Sequence, residues 1–209
     1  MNKKIDTQVL HVLTKEYIFE NSVNAEDYLN KVDENYLPRW EKKLDQVKFT
    51  EEQLKFLNDN LPEVNIVVFS ADWCGDCQNG VPVLMKIAEA NSQINLRLID
   101  RDSHQEILEK YLTSGSKKIP LVFFMNSEYQ EINRWVERSA YSYSMWYKAK
   151  KQAIANDSDN YSDYLRPLLK EHSSQMFTEN TREIMDCLVK AVALIRATMS
   201  LEKLKPLIS

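Results

Sequence analysis

The sequence predicts an α/β domain extended by helices at both ends, and three observations predict it. The chain has 209 residues but only three glycines, Gly75, Gly80 and Gly115, and a chain so poor in the residue that makes tight left-handed turns is rich in helix. Three short β-branched, aliphatic or aromatic runs, at Val64–Phe69, Ile94–Leu98 and Pro120–Met125, have the length of strands and are too short for buried helices. Outside these runs the apolar residues recur mostly at helical spacing.

The first sixty residues read as helices. Val9, Val12, Leu13 and Tyr17 recur at helical intervals, Pro38 punctuates, and Thr50 with Gln53 forms a capping box ahead of Leu54, Leu57 and Leu61. Pro62 closes this region, and Val64–Phe69 follows as a central strand. Val81, Leu84, Ile87 and Ala88 then mark a helix up to Asn91, a residue suited to the left-handed position past a helix end. Ile94, Leu96 and Leu98 alternate with Asn95 and Arg97 as a second strand. Ser103 and Glu106 make another capping box, which predicts a helix from Gln105 to about Leu112, stopped near Gly115. Pro120–Met125 is a third strand, Asn126-Ser127-Glu128 turns the chain, and Glu131 to Val136 returns antiparallel to it. The order is β-α-β-α-β-β.

Beyond Ser139 helix resumes through Tyr143, Trp146 and Tyr147, and later through Ile184, Leu188, Val192, Ile195 and Met199, with polar Asn156–Tyr161 as an exposed connection. The chain thus divides into a helical extension over 1–62, a core over 63–138, and a second helical extension over 139–209 packed on that core.

Hydrophobic residues make up 44% and charged residues 28% of the chain, the composition of a folded protein. A net charge of −4 gives no basic field for phosphates or an anionic bilayer, so neither nucleic acid nor membrane is an expected partner. Asp6, Gln8, His11, Lys15 and Glu16 interrupt every apolar window near the start, so neither a signal peptide nor a membrane span is read there. With three cysteines there is no disulfide framework, and the expected compartment is the reducing cytoplasm.

Trp73-Cys74-Gly75-Asp76-Cys77 lies directly after the first strand and directly before a helix. That setting gives the spacing a mechanism. Cys74 falls at a helix N-terminus, where unpaired N–H groups and the macrodipole favour a thiolate, and Cys77 lies one turn further in. Thiol–disulfide exchange needs such a pair, one thiolate to attack and a second thiol to resolve the mixed disulfide. Half a zinc site has the same spacing.

The stretch resembles thioredoxin in Trp73 before the first cysteine, Gly75 after it, Pro82 within the following helix, and Lys118-Ile119-Pro120 opening the third strand. The resemblance spans about Val64 to Val136. It implies a thioredoxin-like fold, a central mixed sheet of about four strands flanked by helices, and dithiol–disulfide oxidoreductase activity with Cys74 as nucleophile and Cys77 as resolving cysteine. It implies no bound cofactor and no metal. The implied partners are a disulfide-containing protein or small-thiol substrate, and an external electron donor, either a reductase or a low-molecular-weight thiol. Trp73 would shield the cysteines, Pro120 in cis would keep a backbone N–H away from Cys74, and Ile119 would offer its backbone to an extended substrate. Gly75 and Asp76 would tune the pair. Three positions depart from the family pattern: Val68 stands where thioredoxins bury an aspartate, Ser70 replaces the usual tryptophan, and Asp76 replaces the usual proline. Two other functions suit the same features, a thioredoxin-fold binding or adaptor module with little redox activity, and a metal or iron–sulfur carrier using the paired thiolates.

The remaining chemistry-bearing residues read as structural. Cys187 shares an apolar stripe with Ile184, Leu188 and Val192 and is expected to be buried. His11, His104 and His172 read as surface residues, Asp72 and Asp76 as solvated rim charges, and Tyr141, Tyr143, Trp146 and Tyr147 as packing.

Overall fold

The computed structural model describes residues 13–208, so Val9, His11 and Val12 lie outside the described residues. The N-terminal part forms α1 (Lys15–Asn21), α2 (Ala25–Leu29), α3 (Leu37–Gln46) and α4 (Glu51–Leu57). Each short helix begins where the sequence supplies a start signal. Thr14 and Asn24 accept the backbone N–H three residues on, Pro38 lies in the first turn of α3, and both halves of the Thr50–Gln53 capping box form.

The sheet comprises β1 (Val64–Ser70), β2 (Ile94–Asp100), β3 (Leu121–Met125) and β4 (Glu131–Val136) in the order β2-β1-β3-β4. β1 runs parallel to β2 and antiparallel to β3, and β3 runs antiparallel to β4, so the sheet is mixed. Every residue of β1 and β3 is buried, as expected of central strands covered on both faces. The outer edge of β2 is blunted by Val23, which exchanges two 2.8 Å backbone hydrogen bonds with Leu98. Helix α5 (Gly75–Ala90) joins β1 to β2, and the one-turn α6 (Gln105–Leu108) lies between β2 and β3.

The C-terminal part forms α7 (Ala140–Ala155), α8 (Ser162–Glu171), α9 (Ser173–Thr198) and α10 (Leu201–Leu204). Helix α9 packs on β3, β4 and α5, and α3 packs on α5. The apolar stripe Phe177, Ile184, Leu188, Val192 and Ile195 of α9 is buried, which removes it from water at about 25 cal/mol per Å². Among the described residues no helix is long and apolar enough to cross a membrane.

Three expectations are corrected. Asn91 is extended (φ −143°, ψ 119°) rather than left-handed. Its amide instead donates to the carbonyls of Leu57 at 2.7 Å and Asp59 at 3.1 Å, tying α4 to the end of α5. Helix α6 stops at Leu108, and Ser103 does not cap it; Asp100 Oδ2 takes both the Ser103 hydroxyl (2.5 Å) and its N–H (2.9 Å), and His104 occupies the cap position. The nearby carboxylate outcompetes the helix end. Cys187 is half-buried on the side of α9 that meets β4, with its Sγ 3.7 Å from the Arg134 carbonyl oxygen.

Candidate active site

Where β1 gives way to α5, Cys74 is the N-cap residue, with extended backbone (φ −78°, ψ 118°). Its Sγ accepts the N–H of Cys77 at 3.5 Å, and its carbonyl accepts the N–H of Gln78 at 3.0 Å. The sulfur therefore sits among the unpaired amides of a helix start, which favour an anion. Cys74 is 8% exposed and Cys77 fully buried, and both thiols are free. Cys74 is thus a rim sulfur with a small open face.

Electrostatics separate the two cysteines. The hydrogen bond from the Cys77 thiol is the largest influence on Cys74; with the N–H groups of Cys77 and Asp76 it lowers the Cys74 pKa, against burial and the Asp76 charge. Burial pushes Cys77 well above the ordinary thiol value, and the hydrogen bond and charge of Cys74 push it further.

Ile119–Pro120 is a cis peptide, and the Ile119 carbonyl oxygen lies 3.9 Å from Cys74 Sγ. Helix α5 reaches this strand end through Gly80. A Cβ there would lie 2.8 Å from the Trp135 ring and 3.4 Å from Pro120 Cγ, so the close approach of helix, β4 and proline needs glycine despite its cost of about 1 kcal/mol in a helix interior. Beside Gly75, by contrast, the space is open. Trp73 is 46% exposed; its Nε1–H donates to Asp102 Oδ2 at 2.8 Å, and the Arg101 guanidinium lies 5.6 Å from the ring centre.

Asp76 is not the solvated charge expected. Its side chain is only 21% exposed and lies 2.5 Å from Arg138 Nη2, which also contacts Glu137 Oε1 at 2.6 Å. Lys118 Nζ reaches the same Glu137 oxygen at 3.2 Å, and Trp146 stacks under Arg138 with 3.8 Å from ring centre to guanidinium carbon. Tyr143 donates to Glu137 Oε2. Of the α7 aromatics expected to pack, Tyr143 and Trp146 do so around an ion network that the sequence reading missed, Tyr141 meets His172 edge-on, and Tyr147 is instead exposed. The network's one local signal is the Glu137-Arg138 pair directly after β4.

Asp72 is also held. Its carboxylate accepts the Asp33 N–H at 3.0 Å, and its carbonyl accepts Trp40 Nε1–H at 2.9 Å and Gln78 Nε2–H at 2.8 Å. Through the bonds with Asp33 and Trp40, the segment that carries α3 grips the loop before Cys74. Val68 is fully buried with no polar atom to offer, whereas Ser70 accepts a hydrogen bond from the Tyr28 hydroxyl at 2.9 Å. The histidines are tied down too: Nδ1 of His104 lies 2.7 Å from the Tyr17 hydroxyl, and Nδ1 of His172 lies 3.0 Å from that of Tyr141. Among the described residues no three His, Cys, Asp or Glu side chains cluster as metal ligands.

Asp76 yields a prediction of two parts. Burial, with Glu137 adding, pushes its carboxyl up to about 6 despite Arg138 and Lys118. The native state therefore holds this proton more tightly than the unfolded chain, and stability falls as pH rises from about 4 through 6. Asp76→Asn is expected to be more stable than the parent at pH 7, by on the order of 1–3 kcal/mol, with the gap closing below about pH 4. Denaturant titrations across that range check it. The same substitution removes a charge that raises Cys74, so alkylation rates against pH should give a lower Cys74 pKa. Equal values in the two proteins would refute the electrostatic role.

A family model described as Thioredoxin matches residues 22–151. The chain is 33% identical over 75 residues to mitochondrial thioredoxin-2 of Schizosaccharomyces pombe, covering 35% of this chain and 53% of that protein. It spans about half the length of this curated relative. Among solved structures it is similar to a Pseudomonas aeruginosa protein of unknown function, with a TM-score of 0.64 and 15% identity over 85% of this chain and 98% of that one. It is also similar to an HIV epitope-scaffold, with a TM-score of 0.60 and 16% identity over 84% and 97% of the two chains. Coverage of this extent takes in helices outside the sheet, so the likeness in fold includes part of the extensions.

Proposed function

Because the chain belongs to the thioredoxin family, we propose that it is a thiol–disulfide oxidoreductase in which Cys74 attacks and Cys77 resolves. The observation that carries this reading is the contrast in setting of the two thiols: Cys74 Sγ, at the cap of α5, accepts the Cys77 N–H at 3.5 Å and keeps a small open face, whereas Cys77 is fully buried; the first setting lowers the thiol pKa and the second raises it. The Cys74 thiolate attacks one sulfur of a substrate disulfide, forming a mixed disulfide and releasing the other sulfur as a thiol. Cys77 then gives up its proton and attacks Cys74 Sγ, closing the Cys74–Cys77 disulfide and expelling the second substrate thiol. Two electrons pass from protein to substrate. An external reductase or low-molecular-weight thiol in a reducing compartment such as the cytoplasm returns them.

The substrate segment would lie over the rim between exposed Trp73 and the Ile119–Pro120 step, where open space beside Gly75 lets a chain pass. Backbone pairing at Ile119 gives such binding breadth rather than sequence specificity. The test is reduction of insulin disulfides with dithiothreitol as donor. The protein is expected to accelerate precipitation of the freed chain well beyond dithiothreitol alone; a rate equal to the uncatalysed one would overturn the assignment.

A further inference from the structure

Helix α7 leaves the rim of the cysteine site with one face uncovered. Its start is fixed there: the Glu137 N–H donates to the Pro120 carbonyl at 2.8 Å, Arg138 meets Asp76 in the first turn of α5, and Ser139 caps the helix. Ser142, Met145, Ala149 and Ala153 form its buried side, and the helix packs on α8 and α9. At 3.6 residues per turn, Tyr143, Tyr147, Lys150 and Ile154 fall within about 60° of one another, on the side away from those four. Tyr147 is 68% and Ile154 80% exposed, and Tyr143 is exposed too. The stripe is about 16 Å long. Its near end is Tyr143, whose hydroxyl donates to Glu137 and whose ring lies 5.5 Å from the Arg138 guanidinium. The apolar face is thus continuous with the Pro120 edge of the rim.

The charge of this face opposes that of the rest of the chain. Helix α7 contains Lys148, Lys150 and Lys151 and no acidic residue, in a protein of net charge −4. Among the described residues none of the three lysines forms an ion pair; Lys150 Nζ lies 5.5 Å from the ring centre of Tyr161. Asp157 and Asp159 follow beyond the C-cap Asn156 and pair with none of them. Exposed tyrosines give rigid, amphipathic contact area of the kind interfaces enrich, and unpaired ammonium groups beside them select the charge of what binds.

We propose that the outer face of α7 docks an acidic segment of a disulfide-bearing protein substrate, so that its disulfide reaches Cys74 across Glu137 and Pro120. Tyr143 and Tyr147 supply the apolar contact and the three lysines the charge pairing. Backbone pairing at Ile119 is blind to sequence, and α7 adds a preference for acidic partners. This inference rests on the reading of Cys74 as nucleophile.

The test uses the homodimeric disulfides of two synthetic peptides, one with glutamate and tyrosine beside its single cysteine and one with lysine in place of glutamate, together with the neutral 2-hydroxyethyl disulfide. Fully reduced protein should reduce the acidic peptide about tenfold faster than the basic one at low salt, and the ratio should approach one in about 0.5 M sodium chloride. The triple variant Lys148→Glu, Lys150→Glu, Lys151→Glu should invert the preference, and Tyr147→Ala should slow the acidic peptide about three- to tenfold. All of these side chains are exposed, and neither variant should change the rate with 2-hydroxyethyl disulfide. Fluorescence anisotropy of the acidic peptide with serine in place of its cysteine reads docking without exchange, and should show the same losses. Equal rates on the two peptides in the parent, or equal slowing of peptide and 2-hydroxyethyl disulfide in the variants, overturns the docking face and leaves the proposed function standing. A parent that reduces none of the three disulfides overturns the proposed function, and docking of a substrate with it. A labelled oligothymidylate bound as tightly as the acidic peptide, or a dimer of this chain in sedimentation that Tyr147→Ala dissolves, assigns the face to another occupant and overturns the proposal.

Discussion

Cys77→Ser is expected to accumulate covalent adducts with disulfide partners, stable on non-reducing electrophoresis and lost on adding reductant, whereas Cys74→Ser forms few or none. The two substitutions differ because the cysteines differ in setting. Cys74 has an open face and a lowered pKa, so it is ready to attack; Cys77 is sealed and its pKa raised, so in Cys74→Ser no accessible thiolate remains in the pair. Serine at position 77 keeps an O–H that can still donate to Cys74, the largest influence holding its pKa down. The mixed disulfide still forms, but nothing then resolves it. Adduct yields should differ by at least about tenfold, since each pKa unit changes the thiolate fraction tenfold. A metal carrier would instead lose its metal equally with either substitution, and an adaptor would recover its partner unchanged by both. Equal trapping by the two variants would refute the division of labour.

Trp40→Ala is expected to destabilise the fold by about 3–5 kcal/mol. Trp40 is fully buried in α3, meets the Tyr28 ring, and donates to the Asp72 carbonyl in the loop before Cys74. Its removal leaves a cavity under the loop before Cys74 and takes one of the two hydrogen bonds from the Asp72 carbonyl, leaving that from Gln78. In a chain of this length that is a drop of roughly 10 °C or more in melting temperature. We propose that extension and core unfold together, so calorimetry should show one transition in both parent and variant. Two separated transitions, or a loss below about 1 kcal/mol, would mean that the extension docks without contributing to the cooperative unit.

The strands were legible because burial on both faces imposes a local signature. Val64–Phe69 and Leu121–Met125 are uninterrupted apolar or β-rich runs apart from Asn65, and both are fully buried central strands. The Thr50–Gln53 box was legible because its partners lie three residues apart. Ser103 carried the same local pattern and failed. Asp100, three residues upstream, competes for its hydroxyl and N–H, and no periodicity reveals which acceptor wins.

The sequence by itself determined the sheet, the helical excess and the placement of Cys74 and Cys77 between β1 and α5, because each depends on neighbours within a few residues. Only the tertiary structure decided what surrounds the sulfurs. Arg138 meets Asp76 across 62 positions and Tyr28 meets Ser70 across 42; both pairings follow from where β4 releases the chain and how α2 lies beside β2. A charge read from sequence as solvated therefore became a buried ion pair with a carboxyl raised to about 6. A serine that looked like a departure from the family pattern became the hydrogen-bond partner of a tyrosine from the N-terminal extension. Long-range pairs carry no local periodicity, since their energy depends on burial and distance in the folded chain rather than on spacing along it.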